Sequence, residues 1–502
     1  MMFKFAARTT VRIGIRFSST YPSSSKIVKS ADEAINGIKS GDMILSGGFG
    51  LSGVSETLID ALSKRPDIKN LTAVSNNAGL EGKGLSKLLE SGQVTKMIAS
   101  YIGMNKKFEQ LYLNGSIDLE LTPQGTIIEK VRSGAAGIPA FYTPTGVGTW
   151  VQEGKLPVRY DSNGKVLKTS KPKESRRFNG RDFLLEESIY GDVAFVKAFK
   201  VDTLGNCWFR GSSRNFNQAF GKNAKLTIVE AENIVEPGEI EPENVHLQSI
   251  FVDKIVQSIK PKQFEVIKFA EDQKSPEELL ESGNEKEIKR YKIAKRASQE
   301  FEGHNSANLG VGLPNLSAAF LPEGSNVLLE SENGILGMGQ HPKKGKEDAD
   351  YVNSGKETVT LVKGASLFGS EDSFGMIRGG NIGLTMLGAF QVSANGDLAN
   401  WGIPGKIKGM GGAMDLVSNP KATKVVVVTE HTNKKGVSKI VENCEFPLTG
   451  EKVINTIITE LAVFIIKDGK LVLTEISTES SLEEVQKKTN AKFIVSDDLK
   501  EF

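Results

Sequence analysis

Short apolar runs rich in β-branched residues alternate with segments of helical periodicity along most of the chain. The runs are apolar at both alternating positions, which predicts strands that are buried on both faces, as in a parallel sheet. Strands that alternate with helices in this way predict an α/β fold. The predicted strands are Met43–Ser46, Leu71–Ser75, Val193–Val196, Leu226–Val229, Val327–Glu330, Leu384–Leu387, Lys424–Thr429 and Leu461–Ile466.

The chain also repeats itself. Residues 198–206 (AFKVDTLGN) are similar to 389–397 (AFQVSANGD), and residues 71–80 (LTAVSNNAGL) are similar to 327–336 (VLLESENGIL). The two pairs occur in the same order, which is typical of duplicated domains. The sequence therefore predicts two related open α/β domains with mainly parallel sheets.

A charged segment separates the two halves. Residues 260–299 are dense in Lys and Glu and contain Pro261, Pro276 and Gly283, which is the composition of a solvated linker. We therefore place an N-terminal domain at 26–258, the linker at 259–290 and a C-terminal domain at 291–502. A helix is predicted near Glu287–Glu300.

The first 25 residues are of a different kind. They contain Lys4, Arg8, Arg12 and Arg16, many hydroxyl residues and no acidic residue. The arginines interrupt the apolar core that a secretory signal would need, whereas this composition is typical of a mitochondrial transit peptide. We expect residues 1–25 to direct the chain to the mitochondrial matrix.

Overall composition limits the classes of function. The 63 Lys and Arg nearly balance the 61 Asp and Glu, which argues against a nucleic-acid partner. No apolar run is long enough to span a membrane, so a membrane partner is not expected. The two cysteines form no disulfide framework, and the four histidines have no zinc-ligand spacing. No metal site is predicted.

A glycine-rich turn follows the first predicted strand. Gly48, Phe49 and Gly50 begin a formal match to the dinucleotide-binding pattern, followed by helical periodicity. The next strand ends at Asn76, however, where such a site needs a carboxylate. We therefore favour a turn that faces some other ligand over an NAD site.

The turn Ser331–Gly334 follows a strand of the second half. Ligands bind at the carboxyl ends of strands in open α/β sheets, so Glu332 is predicted to lie in a ligand crevice. Alone, the motif favours an ordinary turn with a solvated glutamate. The first half has Asn76 at the equivalent position, which indicates that the fold itself does not need this charge.

Two further glycine-rich segments lie in the second half, Asn308–Pro314 and Gly409–Asp415. The latter has no counterpart in the first half. Runs of small residues expose backbone N–H groups, which suit an anion or a developing oxyanion. In the first half, Thr122–Thr126 and Gly137–Gly146 contain the Pro and Gly of rigid loops.

Taken together, these motifs resemble the family I coenzyme A transferases, over nearly the whole chain from residue 26. The motifs are SGGFGLSG (46–53), TPQGT (122–126), GIPAFYTPTGVGT (137–149), NLGVGLP (308–314), SENGILG (331–337), GDLANWGIPGK (396–406) and KGMGGAMDL (408–416). The resemblance implies acyl-CoA and carboxylic acid substrates, with CoA passing from succinyl-CoA to a 3-oxo acid such as acetoacetate. It also implies a homodimer and no separate cofactor, since coenzyme A is itself a substrate.

The resemblance further implies a set of site residues. Glu332 is expected to be the nucleophile that forms a glutamyl-CoA thioester, with Gln124 and a backbone N–H near Gly412 as oxyanion donors. The residues expected to bind substrate or CoA are Gly48, Phe49, Gly50, Asn76, Asn308, Gly310, Gly312, Asn333, Gly409, Gly411 and Ala413. Glu330 departs from the family pattern and places a second carboxylate two residues from Glu332, on the same side if the pleat continues through the turn.

Several alternatives remain open at the level of sequence. Acetate or propionate are alternative acid substrates. A thioester hydrolase or a sugar-phosphate isomerase is possible on a similar fold, since fold does not determine function. A non-catalytic module that senses CoA or an acid is a third class.

Overall fold

The computed structural model describes residues 25–275, 278, 281, 284–322, 324–403 and 405–502. The predicted transit peptide, 1–25, lies outside these residues except for Ser25. Two large sheets, one in each half of the chain, contain most of the strands.

The sheet of the first half has eight strands, of which only the short Cys207–Trp208 runs antiparallel to its neighbour. In spatial order the parallel strands are Lys254–Gln257, Ala224–Val235, Gly191–Asp202, Met43–Ser46, Leu71–Val74, Val94–Ala99 and Asp118–Leu121.

The sheet of the second half has ten strands, with a parallel centre and antiparallel pairings toward both ends. In spatial order the strands are Leu361–Leu367, Ile335–Met338, Leu328–Ser331, Ser306–Leu309, Leu384–Leu387, Lys424–Val428, Thr456–Ile458, Ala462–Lys467, Lys470–Ile476 and Ile494–Glu501. Val425–Val428 is fully buried, which is why this run is apolar at every position.

The two sheets share one strand order. In each, the first strand lies between the second strand and three later parallel strands. The equivalent strands are Met43–Ser46 and Ser306–Leu309, Leu71–Val74 and Leu328–Ser331, Gly191–Asp202 and Leu384–Leu387, Ala224–Val235 and Lys424–Val428, and Lys254–Gln257 and Thr456–Ile458. The prediction of two related α/β units with mainly parallel sheets is confirmed, and each predicted strand coincides with an observed strand to within one residue or lies inside a longer one.

Helices and smaller strands connect and cover the two sheets. The α-helices are Ala31–Ala34, Glu56–Ser63, Ser86–Glu90, Lys106–Leu113, Gln124–Ala135, Trp150–Glu153, Asn217–Phe220, Glu285–Ser298, Leu313–Leu316, Ser370–Gly379, Ala413–Leu416 and Leu482–Lys488. The 3₁₀ turns are Gly211–Arg214, Pro242–Asn244, Ser249–Phe251, Ala270–Asp272, Gln299–Phe301 and Ser317–Phe320. The smaller strands are Ala140–Thr143, Pro157–Tyr160, Val166–Thr169, Ser175–Phe178, Arg181–Glu187, Gln391–Ser393, Leu398–Ala399, Gly402–Ile403, Lys406–Ile407 and Ile440–Val441.

The two halves share a hydrophobic core. Ile127 and Phe216 of the first half belong to the same buried cluster as Phe374 and Leu416 of the second. Helix Gln124–Ala135 packs against helix Ser370–Gly379 within this cluster. The shared core therefore fixes the two sheets relative to each other.

Part of the segment predicted as a solvated linker is packed on the second half. Val266 forms a β-bridge with Glu357, and the Lys268 N–H donates to Thr358 Oγ1 at 3.1 Å. These backbone contacts explain the difference from the prediction, because a segment of charged composition is still held in place when its polar main chain pairs with a neighbour.

Candidate active site

One cavity of about 570 Å³ lies where the carboxyl ends of the two sheets face each other. The first half contributes residues that lie within three positions of the carboxyl ends of four of its strands: Phe49, Asn76, Tyr101 and Gln124. The second half contributes Gly310, Glu332, Gly388 and Thr429 in the same way. Strand ends are the usual ligand sites of open α/β sheets, and here two such edges form one site.

Glu332 is the carboxylate that this arrangement places deepest in the wall. It follows strand Leu328–Ser331 in a tight turn closed by the Gly334 N–H, which donates to the Ser331 carbonyl at 2.9 Å. Its side chain is 8% exposed. Burial raises the pKa of Glu332, while the Lys356 charge and the Asn308 amide act in the opposite direction. The result is a desolvated carboxylate with two groups nearby that favour its charged form.

The glycine loop 409–413 lies against Glu332 and is held in place by the first half of the chain. The Gly411 N–H donates to the Ser100 carbonyl at 3.0 Å, and the Gly411 carbonyl accepts from the Gln124 N–H at 3.0 Å. A Cβ on Gly412 would lie 3.5 Å from Cγ of Glu332. The loop backbone therefore stands directly against the carboxylate.

Gln124 brings an unused donor to the same place. Its side chain is 2% exposed, and its amide Nε2 is buried without a hydrogen-bond partner. Its Oε1 lies 3.9 Å from the position of a Cβ on Gly411, beside the glycine loop. A buried amide without a partner is costly, so an unsatisfied N–H in a cavity wall is typical of a group that binds a ligand.

Asp415 fixes the end of the glycine loop. Its carboxylate accepts hydrogen bonds from the Gly125 N–H and from Thr145 Oγ1, both at 2.9 Å. Burial raises its pKa to about 6, opposed first by the nearby Arg378. Hydrogen bonds that cross between the halves thus hold the glycine loop against the start of helix Gln124–Ala135.

Most of the predicted site residues lie on the cavity wall. In addition to those already placed, Asn308, Gly409 and Ala413 line it. Asn76 binds the Ser100 hydroxyl through its Oδ1 at 2.6 Å.

Four predicted binding residues do not line the cavity, and of these Gly312 is exposed to solvent. The Gly48 N–H donates to Asn215 Oδ1 at 3.1 Å, and a Cβ on Gly50 would meet the Glu265 carboxylate, so these glycines give room to protein neighbours. Gly312 precedes helix Leu313–Leu316 in a left-handed conformation. Asn333 is fully buried and donates to the Val352 carbonyl at 2.7 Å, which gives its side chain a partner within the fold.

Sequence reasoning missed several residues at the cavity. The Lys356 ammonium lies 4.8 Å from the ring centre of Phe49 and 4.9 Å from that of Tyr101. Tyr101 has a usable signal, because it follows strand Val94–Ala99. Lys356 has none, since it belongs to an irregular turn far along the chain. Arg290, Lys434 and Lys439 line another part of the wall.

Among the described residues, no group of three or more His, Cys, Asp or Glu side chains is arranged to hold a metal ion. In the same part of the chain, none of the helices is both long enough and apolar enough to cross a bilayer.

Comparison with known proteins identifies the family. The sequence profile named Coenzyme A transferase matches residues 28–258 and 290–488. The chain belongs to the coenzyme A transferase family. The resemblance found in the motifs is thereby confirmed.

This coenzyme A transferase is similar to mitochondrial proteins of mouse and human over most of its length. It is 47% identical over 471 residues to the mitochondrial succinyl-CoA:3-ketoacid coenzyme A transferase 2A of Mus musculus, covering 93% of this chain and 89% of that protein. It is 48% identical over 471 residues to the mitochondrial succinyl-CoA:3-ketoacid coenzyme A transferase 2 of Homo sapiens, covering 93% and 90%.

Solved structures show the same fold. The acyl-CoA transferase of Escherichia coli O157:H7, solved as a thioester complex with CoA, matches with a TM-score of 0.75 at 20% identity. The match covers 95% of each chain. The architecture of the transferase is therefore that of its structural neighbours, with both sheets included.

Proposed function

We propose that this transferase moves CoA from succinyl-CoA to a 3-oxo acid such as acetoacetate, with Glu332 as the covalent carrier. The observation that carries the proposal is the position of the Glu332 carboxylate, 8% exposed in the cavity wall and directly opposite Gly412. The substrate pair rests on the names of the mouse and human relatives. The matching length of these relatives supports the same reaction here.

The first half-reaction begins when a Glu332 carboxylate oxygen attacks the thioester carbonyl of succinyl-CoA. The C–S bond breaks, which leaves a mixed anhydride and the CoA thiolate. The thiolate then attacks the carbonyl carbon of Glu332 and releases succinate, so the enzyme holds a glutamyl-CoA thioester. Acetoacetate reverses the same steps. Division of one difficult transfer into easier covalent steps gives ping-pong kinetics.

Every tetrahedral intermediate in this sequence carries an oxyanion that needs donors. We assign one donor to Gln124 Nε2, which is buried without a partner. The amides of Gly411 and Ala413 are already bonded to the carbonyls of Ser100 and Met410, so we assign the second donor to the Gly412 N–H. Donors fixed in advance at the site of developing charge are worth about 100- to 1,000-fold in rate each.

The environment of Glu332 suits a carboxylate nucleophile. A carboxylate in water is a poor nucleophile because hydration stabilises its charge, and burial removes that hydration. Burial alone would also favour the unreactive protonated form. The opposing effects of Lys356 and Asn308 on the Glu332 pKa keep the ionised form accessible.

The cationic part of the cavity suits the phosphates of CoA. Arg290, Lys434 and Lys439 line the wall together with the neutral Asn433. The Lys439 ammonium donates to Thr429 Oγ1 at 2.8 Å, and burial lowers its pKa. A phosphate beside Lys439 would favour its charged form. We therefore place the nucleotide end of CoA here and its thiol beside Glu332.

We further propose that the protein works in the mitochondrial matrix as a homodimer. The acid-free, Arg-rich composition of residues 1–25 supports import. The mitochondrial names of the mouse and human relatives agree with it. Light scattering of the purified chain tests the dimer, and a fusion of residues 1–25 to a fluorescent protein tests import.

The covalent step is tested by mass spectrometry of protein incubated with succinyl-CoA. Hydroxylamine converts a glutamyl thioester into a hydroxamate, and we expect this label on the peptide that contains Glu332. Glu332→Gln and Glu332→Ala are expected to lose both label and transfer while remaining folded. Label on another residue, or undiminished transfer by Glu332→Ala, contradicts the proposed role. Release of CoA without an acceptor acid would indicate a hydrolase instead.

A further inference from the structure

A second carboxylate lies beside Glu332 and has no role in the steps above. Glu330 is 1% exposed, and the charge of Glu332 acts directly on it. Its Oε1 lies 2.5 Å from Ser373 Oγ, and its Oε2 accepts a hydrogen bond from Asn308 Nδ2 at 2.7 Å. Both glutamates therefore lie near the Asn308 side chain, with Glu330 in strand Leu328–Ser331 and Glu332 in the turn that follows it.

Asn308 connects the two carboxylates. Its side-chain amide binds Glu330 and also favours the charged form of Glu332. An Asn amide nitrogen has two N–H groups, so one can bind Glu330 while the other points toward Glu332. The direction in which the Asn308 amide points thus depends on the hydrogen bond that it donates to Glu330.

We propose that Glu330 is a positioning residue, which as a neutral acid holds the Asn308 amide toward Glu332 and on losing its proton at alkaline pH slows the transfer. The proposal rests on the role proposed for Glu332. In the neutral form the Glu330 O–H donates to Ser373 Oγ, and its carbonyl oxygen accepts from Asn308. This arrangement gives each carboxyl oxygen of Glu330 a partner without adding charge to the cavity.

The ionised form has two consequences for the reaction. A second negative charge beside Glu332 opposes the oxyanions and the CoA thiolate that form during transfer. A carboxylate also attracts the Asn308 amide more strongly than a neutral acid does. Burial raises the pKa of Glu330 to about 8, so the change falls within the range of an ordinary assay.

The charges around Glu330 are few. Strand Ser306–Leu309 faces it with Asn308, helix Ser370–Gly379 faces it with Ser373, and its own turn brings Glu332, beyond which lies Lys356. The other ionisable groups of that helix have different neighbours. Arg378 pairs with Glu129, and Glu371 lies under the influence of Asp372, Arg214 and Lys222.

The test is the pH dependence of kcat/KM for succinyl-CoA between pH 6 and 10, measured on the full-length protein and two variants. Glu330→Gln keeps both hydrogen bonds, because its amide donates to Ser373 and accepts from Asn308, but it cannot ionise. Glu330→Leu removes the charge and both bonds. The fraction of protein that forms the hydroxylamine-sensitive adduct at Glu332 is measured in parallel.

We expect the wild-type rate to fall as pH rises through about 8 and the Glu330→Gln rate to stay level there, within about threefold of wild type at pH 7. Glu330→Leu should also lose the alkaline fall but be about tenfold slower at every pH, as expected for the loss of one orienting hydrogen bond. If the rate of Glu330→Gln falls at alkaline pH with the same midpoint as that of wild type, the inference is wrong. This result counts against the inference alone when wild type still forms the adduct at Glu332. If wild type forms no adduct at Glu332, the proposed function fails first, and the inference fails with it.

Discussion

Cγ of Glu332 lies 3.5 Å from the point that a Cβ on Gly412 would occupy, and the ring of Phe374 lies 3.3 Å from the same point. The space between the glycine loop and the carboxylate therefore has no room for an extra methyl group together with a substrate carbonyl. This relationship explains why a glycine is needed here even though the backbone, with a φ of −84°, suits any residue.

Gly412→Ala should accordingly lower kcat/KM by about 100-fold, since a displacement of about 1 Å at a reacting centre has effects of this size. The unfolding midpoint should fall only slightly, because the backbone is unstrained and the buried Phe374 ring has to shift by only a few tenths of an ångström. Steady-state kinetics and thermal unfolding measure the two effects separately.

Gly375→Ala is the matched control, because a Cβ at Gly375 would meet nothing within 4 Å on helix Ser370–Gly379. It should leave activity unchanged and raise stability slightly through better helix propensity. Equal activity of Gly412→Ala and Gly375→Ala would show that the close approach of Gly412 to Glu332 is not needed for transfer.

Gln124→Leu separates catalysis from stability. We expect transfer to slow by about 100- to 1,000-fold, because one oxyanion donor is lost. Stability should be unchanged or rise by about 1 kcal/mol, because Gln124 Nε2 has no partner in the fold and its burial is unfavourable. Single-turnover kinetics and denaturant unfolding are the measurements. A variant that is much less stable, or as fast as wild type, is incompatible with this role.

Asp415 should make stability depend on pH. Burial raises its pKa from 3.8 to about 6, so the folded state holds the proton more tightly than the unfolded state. The favourable contribution of Asp415 to the free energy of unfolding is therefore complete below about pH 4. It declines by about 3 kcal/mol as the pH rises to about 6. Asp415→Asn cannot ionise, so its stability relative to wild type should rise by this amount across the window.

Urea unfolding of both proteins at several pH values between 4 and 7 measures that difference. The lost acceptor for Gly125 or Thr145 lowers the stability of Asp415→Asn by a constant amount, so only the change with pH is diagnostic. A difference that stays flat across the window would show that Asp415 does not titrate there.

The strands and the place of Glu332 at the cavity were predictable because their signals are local. Val425–Val428 is buried on both faces, and an unbroken run of β-branched apolar residues is a direct signal for such a strand. Glu332 follows such a strand, and its counterpart in the other half is Asn76, so a strand-end rule and one internal comparison sufficed to single it out.

The rest of the site depends on contacts between distant segments. Lys356 reaches the rings of Phe49 and Tyr101 from a turn whose own sequence carries no periodic signal. Glu265 reaches Gly50 from a segment whose composition indicates only a solvated linker. The glycines at 48 and 50 have the pattern of a phosphate-binding turn, but the groups that approach them belong to the protein. A glycine pattern indicates that some group comes close to the backbone at that turn. Which group it is depends on contacts between distant segments of the fold.

The cationic part of the cavity, lined by Arg290, Lys434 and Lys439, leads to a prediction about CoA binding. The neighbouring residue Lys435 provides a matched control. Lys434 lines the cavity, whereas the adjacent Lys435 does not, and both are exposed residues of the same turn. Lys434→Gln should raise the KM for succinyl-CoA by about two- to fivefold, the size expected for one exposed ion pair, and leave kcat nearly unchanged. The increase should shrink as salt is added, because salt screens the same interaction in wild type. Lys435→Gln has the same change of charge but should keep the wild-type KM at every salt concentration. Equal effects of the two substitutions would show that only general surface charge attracts CoA, and the nucleotide end of the substrate would then have to lie elsewhere.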